Sequence, residues 1–214
     1  ANVQTMLGSA DNAAIRSNIG IDRSTLDASD GSPTGAVSVN AAGAVSMTSQ
    51  PSFTVILASE ASNVTGDATV YALTWDTELW DQGGNFASST FTAPVGGRYP
   101  FNIKIQLVGV LATHTLGTLA IVTSNRTWNN YFSVAALPSV PDGLCYLVIP
   151  MTVDMDANDT ATLSLNINNG TKVIDINAGG ATDPRTWWSG HLAHKFRRII
   201  PCGYLSASSR CCWC

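Results

Sequence analysis

Ser189 and His191 stand two residues apart, with Asp183 a short way upstream. In an extended segment alternate side chains share a face, so hydroxyl, imidazole and carboxylate are the parts of a hydrolytic triad. The chain has no Gly-x-Ser-x-Gly elbow to strain a nucleophilic serine out of a sheet, and the expectation is a non-enzymatic protein. Asp154, Asp156 and Asp159 form the densest carboxylate group, and hard oxygen ligands at close spacing suit calcium. Their spacing departs from the EF-hand loop, and Asp156-Ala-Asn-Asp159 equally reads as a hairpin turn in which Asx side chains accept backbone N–H groups. No cofactor is expected.

Five cysteines are present, and Cys202, Cys211, Cys212 and Cys214 all fall in the last thirteen positions. Cys211-Cys-Trp-Cys214 has no matching second pair for a zinc knuckle, so the open alternatives are disulfides and free thiols. Cys145, inside an apolar run, reads as core. His114, between two threonines, reads as a turn residue. Sugars are held by aromatic stacking and planar amides, which makes Arg126-Thr-Trp-Asn-Asn130 the best loop for receptor contact if the protein is an adhesin, through Arg126, Trp128, Asn129 and Asn130. Trp80, beside Asp81 and Gln82, comes second. The competing reading has Trp128 covering the body of the protein or a neighbouring subunit.

These residues need a scaffold, and composition limits it. Of 214 residues 45% are hydrophobic but only 12% charged, about half the usual share, so Thr, Ser, Asn and Gly must cover the surface. That mixture suits short strands and tight turns. Residues 51–193 hold five Lys/Arg against eleven Asp/Glu, an acidic balance that argues against nucleic acid, whereas 194–214 hold four cations and no anion. No stretch reads as a membrane span or a secretion signal.

Residues 1–27 place Val3, Leu7, Ala10, Ala14 and Ile15 at helical intervals and predict a short N-terminal attachment helix. Residues 28–50 are Gly/Ser-rich with an echo, Gly35-Ala-Val-Ser-Val39 and Gly43-Ala-Val-Ser-Met47, and read as an extended stalk or linker, its apolar alternation available for parallel copies to share. Residues 51–193 read as one all-β domain, with alternation predicting strands over 53–57, 72–75, 90–93, 97–107, 116–123, 131–137, 145–153, 161–168 and 187–192. Residues 194–214 form a basic, Cys-rich C-terminal extension.

The segment Phe91-Thr-Ala-Pro-Val-Gly-Gly-Arg-Tyr-Pro-Phe101 resembles the signature of the complement component 1q globular head, through Phe91, Gly97, Tyr99 and Phe101. Ser189-Gly190-His191-Leu192 is similar to that family's closing strand. Pro100 departs from the pattern, because it removes a donor from a strand. Separately, Val3 to Ile21 resembles a helical connector of bacteriophage tail-fibre proteins. The first resemblance implies a ten-stranded, TNF-like jelly-roll sandwich that assembles as a homotrimer, with Phe91, Gly97, Tyr99 and Phe101 in the core or on the trimer axis. Together the two imply a structural protein on the exterior surface of a virion, held by other virion proteins through its N-terminal segment. Its head would bind a host surface glycan or protein. The alternative is a capsid-surface decoration or head-fibre protein with a purely architectural role.

Overall fold

The structure, a computed structural model, describes residues 25–26, 37–47, 49–137, 139–140 and 143–195. The expected N-terminal helix and the four C-terminal cysteines lie outside the described residues.

Three short strands come first: β1 (Thr25–Leu26), β2 (Val37–Val39) and β3 (Val45–Ser46). The body follows with β4 (Ser52–Ile56), β5 (Ala61–Thr65), β6 (Val70–Ala72), β7 (Thr77–Gln82), β8 (Phe86–Ala87), β9 (Thr90–Thr92) and β10 (Gly97–Val108). It continues through β11 (Leu116–Thr123), β12 (Thr127–Ser133), β13 (Ser139–Val140), β14 (Leu144–Met155), β15 (Thr160–Ile167), β16 (Ile174–Asn177), β17 (Trp187–His191) and β18 (His194–Lys195). A 3-10 turn lies at Val134–Ala136.

Ten of these strands make two antiparallel sheets, in the orders β7-β4-β17-β10-β14 and β8-β9-β15-β11-β12. With β7 and β8 set aside and the other eight numbered along the chain, the first sheet runs first-eighth-third-sixth and the second runs second-seventh-fourth-fifth. That interleaving is the jelly roll, and it explains how distant segments become neighbours: β4 lies beside β17, with Ser52 opposite His191. Shorter strands fill the same sides of the long ones: β18 and β16 pair with β10 before and beyond β17, and β6 pairs with β15 beyond β9.

Alternation builds the core. The β10 side chains of Tyr99, Phe101, Ile103, Ile105 and Leu107 point inward and are fully buried, and β15 answers from the other sheet with Leu163, Leu165 and Ile167. At the centre Phe53, Phe91, Phe101 and Trp188 form a cluster with ring centroids 4.9 to 6.0 Å apart, in stacked, tilted and edge-on pairs. Each such ring contributes about 2 kcal/mol or more through burial alone. Phe91, Tyr99 and Phe101 are therefore interior residues, not trimer-axis residues.

Gly190 sits where this cluster is tightest: a Cβ there would lie 2.4 Å from the Phe101 ring and 2.8 Å from Phe53. Gly97 is needed for the same reason, since a Cβ would meet Leu192 at 2.5 Å and the His194 carbonyl at 2.6 Å. Pro100 keeps its place in the β10–β14 register opposite Thr152. On the other side of β10, β18 covers Gly97 and Arg98 and β17 starts at Phe101, so the proline falls in a gap between two ladders.

Several predictions from sequence shift. The strand expected over 131–137 runs over Thr127–Ser133 and gives way to the 3-10 turn, and the one expected over 72–75 is Val70–Ala72. In the stalk region the Val-Ser echo makes an antiparallel hairpin of β2 and β3, closed by the Asn40 side chain accepting the N–H groups of Ala42 and Ala44.

Candidate functional site

The residues expected to form a receptor loop, Arg126 to Asn130, are mostly strand. Thr127 begins β12, an edge strand of the second sheet, so its side chains alternate: Trp128 and Asn130 turn toward the core, Asn129 and Tyr131 toward solvent. The four candidates do not share a surface. Trp128 packs against the core with its indole Nε1 buried and unpartnered, under the Arg126 guanidinium 5.6 Å from the ring centre. The reading in which Trp128 covers the body of the protein is the one the structure supports.

Arg126 also forms an ion pair with Asp154 at 3.2 Å. One supposed receptor residue and one supposed metal ligand thus hold each other across the open edge of the sandwich. Both side chains are well exposed, so the pair contributes at most about 1 kcal/mol. Trp128, Arg98, Thr152 and Asp154 line a cleft of about 470 Å³ there.

Asp156 is exposed and enters the turn through its backbone N–H, and the Asp159 carboxylate is spent on turns. The Asp159 carboxylate accepts hydrogen bonds from the Ser124 hydroxyl at 2.7 Å, the Asp156 N–H at 2.7 Å and the Asn125 amide. It joins the β11–β12 turn to the β14–β15 turn. Among the described residues no group of three His, Cys, Asp or Glu side chains is placed to hold a metal ion.

Ser189 and His191 do share the outward face of β17, above Thr54 and beside Trp80. Asp183 is bound instead to Arg185 at 3.1 Å, and among the described residues no hydrogen bond links it to His191 or Ser189. The triad is not assembled. Trp80 belongs to β7, not to a loop; its indole N–H donates to Ser52 Oγ at 2.9 Å and its ring is 56% exposed.

His114 is more than a turn residue. It is buried, its Nδ1 accepts the Leu111 N–H at 2.9 Å, and its Nε2 lies 3.0 Å from the Thr171 carbonyl, which fixes the proton on Nε2. Gly66 and Gly170 leave room for the ring; a Cβ on Gly170 would fall 2.1 Å from it. The imidazole ties three loops together beside a pocket of about 320 Å³ lined by Val110, Leu111, Val134, Leu137 and Cys145. Burial pushes the Cys145 thiol up to about 11, so it is inert, as its place in the core predicts.

Sequence reasoning missed the outward face of the second sheet. Along β11, β12, β15 and β6, the residues pointing to solvent are Thr, Ser, Asn, Val, Leu and Ala with one aromatic, Tyr131, and none is charged. The signal was in the sequence as the polar half of each alternating strand, but the register that assembles those halves into one surface was not.

No family model matches the chain, and no curated protein matches it. Among solved structures the chain is similar to the globular domain of zebrafish complement 1qA protein, at 15% identity over 69% of this chain and 99% of that one, with a TM-score of 0.43. It is also similar to murine APRIL, at 9% identity over 67% of this chain and 98% of that one, with a TM-score of 0.44.

Proposed function

We propose that the chain is a non-enzymatic structural protein of a bacteriophage virion: a homotrimeric short fibre whose jelly-roll head faces outward and binds the host surface. The observation that carries the assembly is the outward face of the first sheet. On β14, Tyr146 and Val148 are 45% and 58% exposed, with Pro150 following on the same face. Their cross-strand neighbours on β10 are Gln106, Lys104 and Asn102, so one charge accompanies the whole stripe. Trp187, opposite Lys104 on its other side, and Trp80 extend the apolar surface. A lone domain would leave this area wet, and a closed ring of copies hides it at no cost in new sequence. The phage setting is supported by the sequence of residues 3–21, which resembles a tail-fibre connector.

Sedimentation equilibrium on dilute protein tests the assembly: a trimer is expected, and a stable folded monomer overturns it. Immunolabelling of intact particles tests the setting. Label at fibre tips together with adsorption of the purified protein to host cells supports the fibre reading; label over the capsid with binding only to virions supports decoration.

A further inference from the structure

The outward face of the second sheet is built differently from that of the first. Cross-strand register lines up Tyr131 on β12, Thr118 on β11 and Asn166 on β15 as one row, and Asn129, Ala120 and Ser164 as the next. A third row is Thr127, Val122 and Thr162. The middle row is the low one: Ala120 and Ser164 are short, and Ala72 on β6 continues it opposite Ser164. By side-chain size this row is the low line between two taller ones, a shallow trough crossing the strands with Ala120 almost fully covered at its floor, Asn129 at one end and Tyr131 in the row beside it. Tyr131 is 67% exposed, more than any other large aromatic among the described residues. Its ring has no fold-level task, unlike Trp128 beneath it.

No Asp, Glu, Lys, Arg or His points outward from these strands. A surface of hydroxyls and carboxamides can give and accept hydrogen bonds freely but offers nothing to a charged group, and it forgoes the desolvation cost of its own charges. One exposed phenol supplies a stacking platform for the apolar face of a ring. We infer that this trough is a binding site for an uncharged polyhydroxyl chain, a neutral surface oligosaccharide lying across the strands with one sugar on Tyr131 and its hydroxyls on Asn129, Ser164 and Thr118. The inference rests on the reading of the chain as a host-surface binder and assigns the ligand class and the face. That face is opposite the stripe assigned to assembly, so both can operate at once.

The test uses the full chain and two outward substitutions, Tyr131→Ala and Ser164→Lys, with Thr118→Lys as a replacement should either fail to fold. Sedimentation and thermal unfolding first establish that the variants assemble as the parent does. Binding is then read by calorimetry against neutral glucan, mannan and galactan oligosaccharides, with polygalacturonate as the acidic probe. At least one neutral oligosaccharide is expected to bind and polygalacturonate to fail. Tyr131→Ala should weaken binding about tenfold, the usual scale of one stacking contact. Ser164→Lys should abolish it by filling the trough. Affinity should change less than about twofold between low and high salt, because no charge pair is screened. Preference for polygalacturonate, failure of every neutral probe, or variants that bind as the parent does would each overturn the site. Adsorption to host cells is measured in parallel: adsorption untouched by the substitutions refutes this site and leaves the host-binding role standing, while no adsorption by the parent refutes the role itself.

Discussion

Gly190 shows how one atom can be forbidden. The Phe101 and Phe53 rings occupy the space a methyl would take, and the crowded atoms belong to a packed aromatic cluster with nowhere to move. Gly190→Ala is expected to cost about 2 to 3 kcal/mol through overpacking, read as a lower denaturant midpoint. Asp76 works by charge. Its carboxylate accepts the Ala58 and Ser59 N–H groups at 2.6 and 2.8 Å and so fixes the turn that leaves β4. Burial pushes this carboxyl up, but those N–H donors outweigh it and hold it below its ordinary value of 3.8. A lowered value means the folded state favours the charged form, so the stabilisation is present above pH 4 and drains away as pH falls through the lowered value. Asp76→Asn should lose about 1 kcal/mol at pH 7 and show a shallower stability loss below pH 4 than the parent, measured by urea unfolding across pH.

At the scale of elements, the strands legible in sequence are those with one dry and one wet face. Residues 101–105 and 163–167 alternate cleanly because each strand lies inside a sheet with the opposite sheet packed on it. β7 was invisible because, at the edge of its sheet, Thr77–Gln82 is never fully buried and its residues alternate no property. The first half of β12 was read as a loop for the same reason: as an edge strand it is only half covered even on its inner side, so Trp128 and Asn130 look like surface residues. Turn chemistry was read correctly at Asp156–Asp159 but not its reach, since the partners Ser124 and Asn125 are more than thirty positions away. Asp159→Ala should therefore loosen two turns together at a cost of about 1 to 2 kcal/mol, with faster amide exchange at Asp156 in one turn and at Ser124 and Arg126 in the other. Exchange changes confined to 156–160 would show that the link between the turns carries no energy.

For the whole molecule, the alternating pattern was sufficient for one all-β domain, because alternation follows from inward residues, and the resemblance carried by residues 91–101 narrowed it to a jelly roll. It could not divide core from assembly surface. Tyr99 and Phe101 proved interior, and the exposed apolar stripe falls on Tyr146 and Val148, which in sequence are indistinguishable from their buried neighbours Leu147 and Ile149. Whether that stripe is an interface is decided by a charge placed in it. Val148→Glu puts a carboxylate on an exposed side chain with no effect on the core, so it should shift the assembly toward monomer with unfolding changed by less than about 0.5 kcal/mol. A trimer that survives the substitution would locate the contact elsewhere.

Because Ser52 lies across from His191, the polypeptide enters and leaves the sandwich side by side, while His114 and its loops crown the far pole. The head has a built-in direction. A partner docked on the pole where β4 begins would leave the loops around His114 uncovered, and one docked on those loops would leave the entry to β4 and the end of β17 free.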